Sequence, residues 1–542
     1  MLEIRDLSFS YIGEKKVLDG INLSLDKGLF CLIGPSGCGK STLCLALNGL
    51  IPQSIPGKLE GRITVGKLDT QKKPVSEIAR FVGLVFQNPD SQLFSLCAED
   101  EIGFGPCNLG LPWKVVSERV DESIGLLDIP HLRNKSPEEM SSGEKQKVAI
   151  ASALSMKPRI LVLDEPTANL DPVSGEEIFR IAKRLGKKML VFMAEHDIDK
   201  VMSYADRVGV MARGRLEIVG EPHQVINHPD FQKYLELPEV ARAGALVGLK
   251  SLPLAPQDLA RKIRLRKRLP RERAFKNGKA IIETKSLEFG YEQAKPILKG
   301  ISLKIHRGEF VAIVGGNGAG KSTLVAHFNG LLKPTKGEVR VGGKSTRGQE
   351  VSALARKVGY VFQNPDLQIF EDTLLEEVSF GPRNIGLSKS ETSGRVEEAL
   401  RSVGLWEFRN ADPFSLSVGQ KRRVTIASVL SMKPEAVIVD EPSTGLDPRT
   451  SEGVMALLRK MNREGKTIIL VTHDMDLVAQ FARRCIVMDS GRIVADGTVR
   501  EVFSDMALLE KSRLMRPEIS KVGALIGEPQ IATISDLLRC VS

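Results

Sequence analysis

Two α/β domains in one chain, each a parallel sheet around a phosphate-binding loop, are expected from three observations. The sequence repeats itself. Each repeat holds a glycine-rich loop between an apolar strand and a helix-like segment, and each later holds a buried strand ending in Asp-Glu. The repeat is plain in three pairs of segments: KKVLDGINLSLDKG at 15–28 with KPILKGISLKIHRG at 295–308, VFQNPDSQLF at 85–94 with VFQNPDLQIF at 361–370, and ILVLDEPTANLDP at 160–172 with AVIVDEPSTGLDP at 436–448. The period is far too long for a solenoid, so it marks two homologous domains, at 1–247 and 281–542.

Residues 248–280 separate them. Pro253, Pro256 and Pro270, with the run RKIRLRKRLPRER at 261–273, suit an extended basic surface linker. LPEVARAGALVG at 237–248 recurs as RPEISKVGALIG at 516–527, so each half is expected to end in a small helical extension.

Composition narrows the class. The chain has 542 residues, 42% hydrophobic and 27% charged, with a net charge of +10 that is concentrated in the basic run. Such a run can bind nucleic acid or anionic lipid, but a solvated linker is the simpler reading and no nucleic-acid partner is expected. No apolar stretch approaches the roughly 18 residues that span a bilayer, and the first residues lack a secretion signal's order. The seven cysteines lack paired spacing, which favours a reduced compartment without structural zinc.

In chain order, Tyr11 and Tyr291 come first, about 30 residues before the phosphate-loop lysines. A tyrosine there can stack on an adenine, and core packing is the alternative. The phosphate loops follow: Gly34, Pro35, Ser36, Gly37, Cys38, Gly39, Lys40, Ser41 and Thr42 in the first half; Gly315, Gly316, Asn317, Gly318, Ala319, Gly320, Lys321, Ser322 and Thr323 in the second. Glycines let successive N–H groups converge on phosphate oxygens at a helix N-terminus. Lys40 and Lys321 are expected on the β- and γ-phosphates, Ser41 and Ser322 on Mg²⁺. Cys38 is either a modifiable thiol or a tolerated small residue.

MSSGEKQKVAIASAL at 140–154 and LSVGQKRRVTIASVL at 416–430 place small and polar residues just before a helix. Asp164 and Asp440, at the ends of buried strands, are candidate Mg²⁺ ligands, and Glu165 and Glu441 are candidate bases for an attacking water. His196 and His473, after two further apolar strands, are placed to donate to a γ-phosphate.

With these motifs in order in both halves, nearly the whole chain resembles the ATP-binding cassette family. The resemblance implies ATP and Mg²⁺ as cofactors, and two domains that close head to tail on two ATPs. Ser417 and Gly419 would then face the ATP on Lys40, and Ser141 and Gly143 the ATP on Lys321. Ser142 and Val418 depart from the family's LSGGQ, and the valine is expected to make the Lys40 site the slower. Asn169 and Gly445 would lie in the turn where the domains meet. Gln87 and Gln363 would reach Mg²⁺ and the attacking water and report occupancy to a membrane partner, which the following NPD-x-Q stretch would face.

FQNPD-x-Q-x-F, IGFGPCNLGL, VSFGPRNIGL and AEHD resemble the ATPases of energy-coupling-factor importers. That implies a peripheral protein on the cytoplasmic face of the membrane, partnered by an integral coupling protein and a small substrate-binding membrane protein, driving uptake of a vitamin, its precursor or a transition-metal ion. A tandem sugar-import ATPase and a ribosome-associated tandem cassette protein are the alternative readings.

Overall fold

The computed structural model describes residues 2–13, 15–168, 170–270, 278–291, 295–443, 446 and 448–541. The chain divides into two compact units, Met1–Ile263 and Arg264–Ser542.

In the first unit the strands Val82–Val85, Ile160–Asp164, Leu190–Glu195, Gly28–Ile33 and Arg207–Ala212 lie side by side and parallel. Arg215–Gly220 adds an antiparallel edge. The central strands read as unbroken apolar runs because helices cover both faces, so alternation would leave polar groups inside. In the second unit Val358–Val361, Ala436–Asp440, Thr467–Val471, Phe310–Val314, Arg484–Asp489 and Arg492–Thr498 repeat that order. A second, antiparallel sheet of four strands stands beside each parallel one, built around Leu2–Tyr11 and Ala280–Phe289. It adds to the predicted architecture.

A helical subdomain follows the glutamine-containing segment in each unit. Its helices are Ala98–Asn108, Trp113–Leu127 and Ser142–Ser155 in the first, and Leu374–Asn384, Lys389–Ser402 and Val418–Ser431 in the second. The extensions are helical as expected, with Glu239–Leu246 in one unit and Glu518–Leu525 and Ile534–Val541 in the other.

The segment 248–280 is less extended than its prolines suggest. It forms a helix over Pro256–Lys262 with Leu259 fully buried. Beyond it, the Arg266 and Lys267 amides donate to the Cys540 carbonyl at 2.9 and 3.2 Å, and Leu269 is buried. Arg271 to Arg273, which complete the basic run, lie outside the described residues, as do Asn169 and Gly445.

Candidate functional site

The parallel order brings four motif residues of each unit to the carboxyl edge of one sheet, where open α/β sheets bind ligands. Asp164 ends its strand in register with Ala194, Glu195 ends the next in register with Ile33, and the phosphate loop leaves from Ile33. That loop needs its glycines for space as well as for freedom. A Cβ at Gly34 would come within 2.2 Å of the Met211 carbonyl oxygen, and one at Gly315 within 2.3 Å of that of Met488. Gly39 and Gly320, at φ 107° and 95°, open the helices that begin at Lys40 and Lys321.

In the first unit, Lys40 Nζ donates to Gly34 O at 3.0 Å and lies 3.7 Å from Glu165 Oε1. Ser41 Oγ donates to Asp164 Oδ1 at 3.0 Å. Three side chains converge on Glu165: Lys40, His196 Nε2 at 2.5 Å from Oε1, and Gln87 Nε2 at 3.0 Å from Oε2. Burial alone would raise the Glu165 carboxyl, but His196 and Lys40 outweigh it and hold it below its ordinary value. Asp164, with weaker compensation, is pushed by burial up to about 6.

In the second unit, Lys321 Nζ donates to Gly315 O and Gly316 O at 2.8 and 3.1 Å. Glu441 Oε1 meets His473 Nδ1 at 2.8 Å, and its Oε2 accepts from Thr472 Oγ1 at 3.1 Å. Burial disfavours the His473 cation, yet the Glu441 carboxylate prevails and raises its pKa. Tyr360 Oη donates to Asp440 Oδ2 at 2.9 Å. Asp440 is raised, first by burial, and its Oδ1 is buried with no hydrogen-bond partner among the described residues.

Glu165 and Glu441 share one further property. Their φ angles are 45° and 44°, a left-handed backbone that non-glycine residues rarely adopt and that concentrates at functional sites.

The signature residues cap helices. Ser141 Oγ accepts from the Glu144 amide and Ser417 Oγ from the Gln420 amide, and in each case the side chain three residues on returns a bond to the serine N–H. Gly143 and Gly419 are tightly packed: a Cβ would lie 2.8 Å from Ser174 Oγ and 2.6 Å from Thr450 Cγ2. Val418 sits in the first helical turn, half exposed.

The tyrosines are unequal. Tyr11 is partly buried and bonds Thr42 Oγ1 at 3.1 Å, whereas Tyr291 is 68% exposed. Cys38 is buried, and its thiol is raised by that burial even with Lys40 nearby, which disfavours a reactive thiolate.

The polar residues of the loop after each glutamine also bond the protein's own atoms, while Asn88, Asp90, Asn364 and Asp366 stay exposed. Gln92 Oε1 accepts from the Phe86 amide at 3.0 Å, and Gln368 Oε1 from the Phe362 amide at 3.1 Å. Asn88 and Asn364 cap the short turns that follow. Asp90 pairs with Lys145 at 2.5 Å and Asp366 with Lys421 at 2.8 Å, tying loop to signature helix. Apolar groups are exposed beside them: Phe94, Leu96 and Phe104 in one unit, Leu367, Phe370 and Phe380 in the other. Each phenylalanine pair packs edge to face at 4.7 Å. Buried Glu101 accepts the Phe94 and Ser95 amides, and buried Glu377 those of Phe370 and Glu371, which fixes the turn that presents the rings.

Sequence reasoning missed those two glutamates, and also Tyr360, Glu195 and Arg422. It missed a contact just before the second extension as well: the Gly316 amide donates to Ser512 O at 3.2 Å, at the end of the helix Met506–Lys511, so that segment touches the phosphate loop.

The model of the family described as ABC transporter matches residues 18–168 and 298–444. The chain belongs to this family. As an ABC transporter ATPase it binds and hydrolyses ATP with two copies of the domain. A protein of Caldanaerobacter subterraneus subsp. tengcongensis, provisionally named an ABC transporter ATP-binding protein, is 37% identical over 99% of this chain and 98% of its own length. The structure of cbiO1 from Clostridium perfringens, described as part of the ABC transporter complex cbiONQ, is 40% identical over 45% of this chain and 99% of that one, with a TM-score of 0.40. A dimeric ATP-binding cassette in a post-hydrolysis state, bound to ADP and Pi, is 33% identical over 40% of this ABC ATPase and 98% of that chain, with a TM-score of 0.38. Among the described residues no helix is long and apolar enough to cross a membrane.

Proposed function

We propose that this chain is the energy-coupling ATPase pair of an importer of the energy-coupling-factor type, peripheral on the cytoplasmic face, whose membrane partner docks on the aromatic turn of each unit. The turns carry this reading. Each exposes a packed phenylalanine pair and a leucine directly after a glutamine that belongs to the ATP site, and a soluble surface gains nothing from such a patch unless a partner covers it. Substrate recognition falls to a separate membrane protein, with a vitamin, a vitamin precursor or a transition-metal ion as cargo.

Glu165 and Glu441 accept the proton of the attacking water, Gln87 and Gln363 orient it, and His196 and His473 donate to the γ-phosphate. Lys40, Lys321 and the phosphate-loop amides bind the phosphates. A divalent cation fits beside Ser41 with Asp164 and beside Ser322 with Asp440. Two buried carboxyls with raised pKa values and an orphaned oxygen are what such an ion would satisfy. Among the described residues no three His, Cys, Asp or Glu side chains form a metal cluster, which suits Mg²⁺ bound through one carboxylate and nucleotide phosphates. A divalent cation held by these residues would supply charge neutralisation at the phosphates.

The test is purification from membranes with partner identification. Small integral membrane proteins should accompany the chain, and the quadruple variant Phe94→Ser, Phe104→Ser, Phe370→Ser, Phe380→Ser should lose them while still binding ATP. Recovery with ribosomes, abolished by RNase, would defeat the proposal.

A further inference from the structure

Arg422 is 1% exposed, the largest fully buried side chain among the described residues, where no carboxylate hydrogen-bonds it. Its guanidinium faces three backbone carbonyls instead. Nη1 donates to Phe362 O and Nη2 to Gln363 O, both through short contacts, and Nη2 approaches Glu441 O at 3.4 Å. Two of them are the backbone carbonyls of Gln363 and Glu441, read above as the residues that orient water and accept its proton, and the third is that of Phe362, beside Gln363. Burial draws the guanidinium down to about 10, still a cation at neutral pH. The equivalent residue of the first unit is Gln146, equally buried, whose Nε2 has no hydrogen-bond partner among the described residues.

We infer that Arg422 is a positioning residue for hydrolysis in the second unit, a strut from the signature helix that fixes the backbone of Gln363 and Glu441, and that the first unit works without one. A planar fork can bridge two consecutive carbonyls, which neither an amide nor an ammonium can do in the same way. The guanidinium against the Glu441 carbonyl adds to the support of the left-handed backbone there, a support that Glu165, at nearly the same φ, lacks among the described residues. Because Arg422 stands on the signature helix, a movement of that helix is felt at Gln363 and Glu441 directly. The inference rests on the reading of Glu165 and Glu441 as the two catalytic carboxylates.

The experiment measures ATP turnover and KM for Arg422→Gln and Arg422→Lys in two backgrounds. With Glu165→Gln, turnover depends on Glu441. Arg422→Gln should then lower kcat roughly tenfold or more, while KM for ATP moves less than about threefold because Lys321 and its loop are untouched. Arg422→Lys should recover part of the loss. With Glu441→Gln, where turnover depends on Glu165, the loss should be smaller by about an order of magnitude. Equal losses in the two backgrounds, or a rise in KM matching the fall in kcat, would mean a general structural role and overturn the strut. Turnover surviving in the double Glu165→Gln, Glu441→Gln variant would overturn the carboxylate assignment and the inference with it. Turnover lost there, but insensitive to Arg422→Gln in the Glu165→Gln background, would overturn the inference alone.

Discussion

The two units share their motifs and differ in what surrounds them. In the first, Glu165 is held by Lys40, His196 and Gln87, and the residue before His196 is Glu195, a buried carboxyl. In the second, Thr472 occupies that place and donates to Glu441, Tyr360 donates to Asp440, and Arg422 grips the backbone from behind. One chain thus carries two versions of a site in which the reacting groups are constant and the groups that tune them are not. The motifs are therefore duplicated, but the side chains that contact them are set separately in each copy.

The largest effect that would break this contrast is on turnover. Either carboxylate replaced by its amide should remove that site's general base, worth roughly 10²–10⁴-fold at the affected site. Glu441→Gln should cost the chain the larger share of its ATPase activity. His196 and Lys40 hold Glu165 below the ordinary carboxylate range, which weakens it as a base. Equal losses from Glu165→Gln and Glu441→Gln would show that the differing surroundings do not matter to rate.

Glu195 offers a measurement on stability instead. It accepts Thr167 N and Oγ1 at 3.2 and 2.8 Å and the His196 amide at 3.1 Å, yet burial still raises its pKa from 4.5 to about 7. A carboxyl with a folded pKa above the unfolded one binds a proton more tightly when folded. Its cost to stability is absent below about pH 4.5, grows as pH rises, and is complete above about pH 7. The full cost is on the order of 3 kcal/mol. Glu195→Thr makes the first unit like the second and should flatten the decline, seen in urea unfolding of that unit's transition between pH 5 and 8. An unchanged slope would place the proton elsewhere.

How much was legible depended on whether a role is written in neighbouring letters. The phosphate loops, Asp164 and Asp440, and the histidines are contiguous motifs with one mechanical reading, and the parallel sheet followed from unbroken apolar strands such as ILVLD and AVIVD. Tyr360, Glu195 and Arg422 were not legible, because each acts on a residue 19 to 80 positions away and only the fold makes them neighbours. Glu101 was hidden differently: in DEIGFGP it looks like any first-turn acid of a helix, and its burial under the Phe94 turn is a tertiary fact. In the NPD-x-Q stretch the bonds of Asn88 and Gln92 to the turn's own amides were not legible either, since only the folded turn brings those groups together.

That loop also supplies the smallest effect and the control for the whole comparison. Gln92 and Gln368 close the same ring, each accepting from the amide of the phenylalanine six residues earlier. Replacing either with alanine leaves a half-buried N–H unpaired, which costs about 1 kcal/mol and at most about 3. The two amide bonds agree within 0.1 Å, and Gln92 Nε2 also donates to Leu84 O at 3.3 Å, so the two losses should agree to within that one long bond, unlike those of the carboxylates. Denaturant midpoints for Gln92→Ala and Gln368→Ala, each read on its own unit, would check this. A large inequality would extend the difference between the units from the tuning groups to the loop, and the two aromatic turns could then no longer be treated as equivalent.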